Sequence, residues 1–394
     1  MTIVNRLFIY LLTTGVFLTA TSELIIAGIL TAIADDLHIS LGAAGQLITS
    51  YSLAFAIGTP IVVTLTSRIG QKRVLTGALI VFIAGSLVAF ASAHYWLLLL
   101  SRLILGVSSG VFLVVTFSSV AKLVPTEKTG SAIGTVILGF SSAMIVGVPI
   151  GIAITASFSW QTIFLLLALF SLLILFTLIR YLPDIEGDAP VSFRQQIRLL
   201  GNPIIIGGLF LTFFRETGTS IMYTYLTPFL QTILHLKTAE IGMTILALGV
   251  FGVIGSRLGG SLVDKWGASR LIFAGLAVHA ASVSLLPAFT ASVAIDLALI
   301  AVMVFAMFAT APAIQTFYIQ LAPQSANLLL GINTSVVHVG LAVGAGMGGL
   351  LANETSTVLY NPWLAGMLVA LGFAAAVGTV SIRKKAALAS QARS

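Results

Sequence analysis

Twelve runs of roughly 20 apolar residues, parted by short polar turns, leave this chain one solvent to fold in. A hydrocarbon core about 30 Å thick is crossed by about 20 residues of helix, at about 1.5 Å of rise each. Every backbone N–H and C=O inside lipid has to be satisfied within the chain, so runs of this length are expected to be helices. They lie at about 7–30, 43–66, 74–92, 96–119, 130–157, 160–181, 203–230, 239–262, 270–289, 294–320, 327–351 and 359–382. Charged residues make up only 8% of the 394 and hydrophobic ones 58%, with a mean hydropathy of +1.11. A soluble domain carries about 25% charged residues, and the turns leave no room for one. The first run is too long for a secretory signal, whose apolar stretch spans about 7–15 residues, and it continues past Glu23.

The plan occurs twice. Thr66-Ser67-Arg68-Ile69-Gly70-Gln71-Lys72-Arg73 is echoed by Asp264-Lys265-Trp266-Gly267-Ala268-Ser269-Arg270, and Gly70 and Gly267 stand 197 residues apart, half the chain. Repetition at that period predicts two six-helix halves. The most polar stretch falls between them, so the expected division is 1–185, a linker at 186–200, and 201–394 ending in a short tail. Counting Lys and Arg by loop sets the orientation. All of them except Lys237 and the intramembrane Arg102, Arg215 and Arg257 fall on the side that holds both termini, which is therefore expected to be cytoplasmic.

Composition also excludes chemistry. There is no cysteine, the five histidines are scattered singly, and no metal cluster, nucleophile–base pair or phosphate loop stands out. No metal or cofactor is expected. The net charge of +7 is spread over isolated turns rather than one face, which speaks for orientation in a bilayer and against nucleic acid.

Several motifs sit at matching places on these runs. The turn after run 2 reads Val63-Thr64-Leu65-Thr66-Ser67-Arg68-Ile69-Gly70-Gln71-Lys72, and its echo reads Gly260-Ser261-Leu262-Val263-Asp264-Lys265-Trp266-Gly267. Run 4 carries Arg102, Gly106 and Gly110 at intervals of four. Run 5 carries Gly139 and then Gly147-Val148-Pro149-Ile150-Gly151. Together they resemble the major facilitator superfamily, and within it the bacterial drug:proton antiporters. Three further stretches, Glu23 to Leu30, Ala44 to Leu47 and Asn333 to Gly340, look like purine-base and nucleoside efflux pumps, and sugar and chloramphenicol exporters share parts of them. The resemblance implies the major facilitator fold, two pseudo-symmetric six-helix bundles, and conformational roles for Ser67, Arg68, Gly70, Lys72, Gly147, Pro149, Gly151, Asp264, Lys265 and Gly267. The first turn departs from the family's G-x-L-a-D-R-x-G-R-K at Val63, Ser67 and Gln71, so its acid–base latch lacks the acid.

Ionisable groups at bilayer depth are expensive and mark function by default. Glu23 lies about 25 Å of helix from Arg6 and about 18 Å from Asp35, close to the midplane. The resemblance implies that Arg102 faces run 1 and pairs with it. Run 7 holds Thr212, Arg215, Glu216, Thr219, Ser220 and Tyr223, mostly on one polar flank that is expected to line a cavity. Arg215 and Glu216 project about 100° apart and need not pair, so Glu216 is open as a second proton site or as half of a structural ion pair.

The reading is a proton-driven exporter of a small organic molecule such as a drug, nucleobase, nucleoside or sugar, with a central site where the halves meet. Glu23, Arg102 and Glu216 are the expected proton-coupling residues. Glu23, Gln46, Tyr51, Arg215, Tyr223, Asn333 and His338 are the expected substrate contacts, with Tyr51, Tyr223 and Tyr225 able to stack on a planar ligand. The expected partners are substrate, protons and the lipid of a bacterial cytoplasmic membrane, with the chain a monomer. A proton-coupled importer shares every charge argument and stays open, and an intramembrane enzyme is the remote alternative.

Overall fold

The computed structural model describes residues 3–125, 129–187, 200–322 and 325–391. Most of the expected linker at 186–200 lies outside them, as do Lys128, Arg194, Arg198 and Arg393 from the charge count. Among the described residues twelve helices are long and apolar enough to cross a membrane. They are α1 (Leu7–Gly28), α2 (Leu41–Thr66), α3 (Gln71–Phe90), α4 (Tyr95–Leu123), α5 (Ala132–Ser157) and α6 (Gln161–Tyr181), then α7 (Pro203–Thr224), α8 (Thr238–Trp266), α9 (Ala268–Phe289), α10 (Val293–Leu321), α11 (Leu328–Thr355) and α12 (Asn361–Arg383). The protein is an all-α, multi-pass membrane protein.

By contact density the chain divides into two compact units, Met1–Val191 with Leu226–Ala247, and Ser192–Tyr225 with Leu248–Ser394. In the first unit α1 packs on α5, α2 on α4, and α3 on both α4 and α6. The second unit repeats the scheme, with α7 on α11, α9 on α10 and α12, and α8 on α10 through Gly255 and Gly259, which sit against the carbonyls of Phe305 and Ala309. Lipid tails are as apolar as leucine, so exclusion from water does not hold such helices together. Close backbone approach at small residues does. Gly106 and Gly110 bring α4 against the Tyr51 carbonyl and the Thr59 side chain of α2 in the same way. The large apolar side chains left over point outward: Leu169, Leu173 and Phe176 of α6 are exposed, while Ile163, Leu167 and Leu178 are buried.

Each unit has its apolar core at the end where its first helix begins. In one the core gathers Phe8, Leu12, Leu75, Val120, Leu178 and Ile185. In the other it gathers Ile205, Leu209, Leu271, Phe317 and Ala376.

Three helices differ from the sequence-based expectation. Runs 1 and 7, expected unbroken over 7–30 and 203–230, are each interrupted. Ile29 (φ −117°, ψ 19°) and Tyr225 (φ −103°, ψ 16°) leave helical geometry, and short helices Leu30–Asp36 and Leu226–Pro228 follow. The Tyr225 hydroxyl donates to the Ala345 carbonyl at 3.0 Å, a tertiary bond that holds its break. His38 (φ 51°) and His235 (φ 55°) then turn the chain in the left-handed region, 197 residues apart. Histidine is among the non-glycine residues enriched there. After His38 the Ile39 amide donates back to the Ala34 carbonyl at 3.0 Å, a Schellman-type closure. The third difference is α8, expected to end at 262 but helical through Trp266, so Asp264 and Lys265 occupy its last turn rather than a loop. Nothing before Gly267 breaks a helix, and Gly267, at φ 80°, does.

In α5 a π-helical segment, Ala143–Gly147, precedes Pro149. Proline has no N–H for the carbonyl one turn back, and the widened turn, with the Val148 amide bonding the Ala143 carbonyl, absorbs that missing donor.

Candidate functional site

Arg102 is fully buried in the first unit. Its Nη1 donates to the carbonyl of Ser22 at 2.9 Å and reaches the Ser22 hydroxyl at 3.5 Å, while Nε points to the carbonyl of Leu47 at 3.5 Å. The guanidinium lies over the ring of Tyr51, 4.4 Å from its centroid. A guanidinium is weakly hydrated and planar, so it tolerates burial against carbonyls and an aromatic face where an ammonium would not. Glu23, next to Ser22 on α1, is half-buried and within electrostatic range of both Arg102 and Tyr51. The Arg therefore faces α1, anchored through the backbone beside the acid. The Tyr51 ring, expected to stack on substrate, is 1% exposed, and one of its faces carries the guanidinium.

The glycines of α5 hold it on the same stretch of α1. A Cβ at Gly147 would collide with the Thr21 side chain, and one at Gly151 with that of Ile25. Gly344 and Gly348 stand 197 residues further on and meet Thr217 and Tyr225 in the second unit. Each seam runs beside the intramembrane acid of its own helix, Glu23 on α1 or Glu216 on α7.

In the second unit Arg215 and Glu216 form a buried ion pair through Nη1 and Oε1. Side chains one residue apart project about 100° from each other, yet the two stems are long enough to meet. Arg215 Nη2 also donates to the Met307 carbonyl. On the flank expected to line a cavity, Thr212, Thr219 and Ser220 are buried and Tyr223 is half-buried. Thr212 shares hydrogen bonds with the Tyr318 hydroxyl (2.9 Å) and with Asn333 Oδ1 (2.8 Å). Ser220 donates to the Leu341 carbonyl at 2.7 Å. His338 Nδ1 lies 2.9 Å from the Thr334 carbonyl one turn back. Asn333 and His338 are buried, whereas Gln46 is half-buried.

The turn after α2 is built without an acid. Ser67 donates to the Thr64 carbonyl of its own helix at 2.9 Å, and Arg68 is exposed. Gln71, where the related pattern has arginine, is buried. Its Nε2 donates to Ser118 at 2.7 Å, its Oε1 accepts from Ser119 at 2.9 Å, and its amide donates to the Ile185 carbonyl at 2.8 Å. Lys122 Nζ donates to the carbonyls of Glu186 (2.8 Å) and Gly187 (3.1 Å). The segment after α6 is thus strapped over the start of α3. In the second copy Asp264 and Lys265 are exposed.

Sequence reasoning missed Gln71, Ser118, Ser119 and Lys122 as a group, along with Ser109 and Tyr318. Tyr318 carried a signal, a phenol inside an apolar run. The carbonyls of Ser22, Leu47 and Met307 carry none, since any residue supplies one.

The sequence profile described as Major Facilitator Superfamily matches residues 12–345 and 209–392. An uncharacterized MFS-type transporter of Bacillus subtilis, YbcL, is 34% identical over 384 residues, covering 98% of each chain. The Escherichia coli (strain K12) inner membrane transport protein YdhP is 27% identical over 373 residues, covering 94% of this chain and 95% of its own. Among solved structures, a D-xylose–proton symporter superposes with a TM-score of 0.79 over 94% of this chain and 96% of its own, at 18% identity, a likeness of fold. With its repeated helix pairing and a profile match running through both halves, the chain belongs to the Major Facilitator Superfamily of membrane transporters.

Proposed function

We propose that the chain is a proton-coupled exporter of a small organic molecule, working by alternating access in a bacterial cytoplasmic membrane with both termini inside. The observation that carries this reading is Arg102, buried without exposure and tied to the backbone carbonyl beside Glu23. An acid next to a fixed cation can give up its proton inside a membrane without leaving a lone charge there. In this reading Glu23 loads and releases the proton and Arg102 holds the carboxylate. Gln46, Tyr223, Asn333 and His338 are proposed as substrate contacts, and Glu216 with Arg215 as a second acidic centre. Sequence halves 1–185 and 201–394, joined through 186–200, are proposed as the moving bodies of a monomer. The resemblance of Gly147-x-Pro149-x-Gly151 to the family's antiporter motif supports export.

Import is the second reading, since the D-xylose–proton symporter shares the fold. Direction is read in proteoliposomes that enclose a pH-sensitive dye, challenged with purine bases, nucleosides, pentoses and lipophilic cations. Export predicts that one class drives protons in the direction opposite to its own movement, and import predicts movement together. Glu23→Gln should fold, as judged by its melting curve, and lose gradient-driven transport. Full proton-driven transport by that variant would end the reading.

A further inference from the structure

We infer that Tyr51 is a positioning residue for the Glu23 carboxylate, its hydroxyl joining Arg102 Nη2 as the donor pair that receives the acid once its proton has left. The inference rests on the proton-coupling reading of Glu23 and deepens it.

Three buried polar atoms around Arg102 make no hydrogen bond of good geometry: its own Nη2, the Tyr51 hydroxyl and the Ser109 hydroxyl. Their residues are 0%, 1% and 2% exposed, so water outside the protein does not serve them. Buried donors are almost always partnered; the Tyr51 and Ser109 hydroxyls can turn to each other, but Arg102 Nη2 has no such neighbour and calls for a partner that comes and goes. Tyr51 and Ser109 lie side by side, and the Tyr51 ring carries the guanidinium on its face. Arg102 cannot turn away, because Nη1 is held by the Ser22 carbonyl. Glu23 follows Ser22 in sequence and acts electrostatically on both Arg102 and Tyr51.

The helices of the first unit that pack on α1 bring few charged or titratable groups to this depth. From α2 the facing group is Tyr51, and from α4 it is Arg102. The α5 sequence from Ala132 to Ser157 contains no ionisable residue, and those of α6, Arg180 and Tyr181, lie at its far end. The described chemistry of the pocket is therefore one acid, one fixed cation and one phenol, with Ser109 beside the phenol.

Protonated, Glu23 needs no cationic partner. On release the proton leaves the carboxyl for the aqueous path, and the electron pair of the broken O–H bond stays on the carboxylate. That carboxylate accepts N–H from Arg102 Nη2 and O–H from Tyr51, which keeps its own proton. The phenol thus does not carry the transported proton. It sets how readily Glu23 releases one, and where the carboxylate rests.

The test uses the full chain in detergent with dicyclohexylcarbodiimide, an apolar reagent that modifies protonated carboxyl groups, and mass spectrometry of the Glu23 peptide across a pH series. Tyr51→Phe keeps the ring over Arg102 and removes only the hydroxyl. Because a hydrogen bond to a charged group is lost, its Glu23 labelling should persist to about tenfold lower proton concentration than in the parent chain. Ser109→Ala should shift labelling in the same direction by less, and it carries the test if Tyr51→Phe melts early. Tyr181→Phe, exposed at the far end of α6, should leave the curve in place. A Tyr51→Phe or Ser109→Ala curve that overlays the parent's in a well-folded protein overturns the assignment while leaving Glu23 as the coupling acid. A Glu23 that is not labelled at any pH, in a protein whose Glu23→Gln variant still transports with protons, removes the underlying reading instead.

Discussion

Replacing Glu216 asks whether the Arg215–Glu216 pair holds the second unit together or carries a proton. Arg215 is 5% exposed and Glu216 9%, and the guanidinium has two acceptors, the carboxylate and the Met307 carbonyl. Its Nε has none. Glu216→Leu leaves a buried cation with one neutral acceptor, and breaking a buried pair in this way costs about 3–5 kcal/mol. Glu216→Gln keeps an oxygen on the same stem, so the bond survives without its charge and the loss falls to about 1.5–3 kcal/mol. Adding Arg215→Met to Glu216→Leu removes the orphaned cation and should regain most of the loss, because apolar replacements of buried pairs are often near neutral. The double-mutant cycle, read from melting curves of purified protein, should then show a coupling of about 3 kcal/mol. Additive single variants, within about 0.5 kcal/mol, would refute the structural role. So would a Glu216→Gln protein that melts like its parent while the pH dependence of transport moves, and that result would make Glu216 a proton carrier.

The helix seams give a paired prediction. Gly344→Ala drives a Cβ into the Thr217 carbonyl and should destabilise by about 1–3 kcal/mol, whereas Gly77→Ala meets nothing within 4 Å and should be neutral or stabilising by up to about 1 kcal/mol. Equal melting temperatures for the two would contradict the seam. At the turn after α2, Gln71→Leu removes the side-chain bonds to Ser118 and Ser119 and should cost about 1–3 kcal/mol. It should also speed proteolytic cutting after Tyr181, because the strap loses its seat. Gly187→Ala, whose Cβ would strike the Ser67 carbonyl, should speed it too, and unchanged cutting in both variants would mean the strap is held by Lys122 and by its buried Leu182 and Ile185.

Most of the fold was legible in the residues, because lipid allows so little else. Apolar runs of crossing length have to be helices, and a 197-residue echo of Gly70 in Gly267 has to be a structural repeat if both turns end a helix. The same offset then reappears in features no run of apolar residues announces: the left-handed His38 and His235, and the glycine seams at Gly147 and Gly344. The isolated acids and arginines also stood out, since a charge at bilayer depth is rare enough to be informative alone.

The partners of those charges were not legible, and the reason is geometric. Arg102 is held mainly by backbone carbonyls and the face of a ring, and a carbonyl belongs to every residue. Whether Arg215 and Glu216 pair stayed open in the sequence, because helical angle sets them about 100° apart and only the packed structure brings the two stems together. The breaks at Ile29 and Tyr225 fall next to Gly28 and three residues before Pro228, local weak points hidden in apolar runs. The bond from Tyr225 to Ala345 adds a tertiary hold on the second break. The sequence by itself thus determined how many helices there are, in what repeat, and which residues are too costly to be idle. The tertiary structure decided what each of those residues touches, because in a bundle held by close backbone contact the neighbours come from other helices, dozens of residues away.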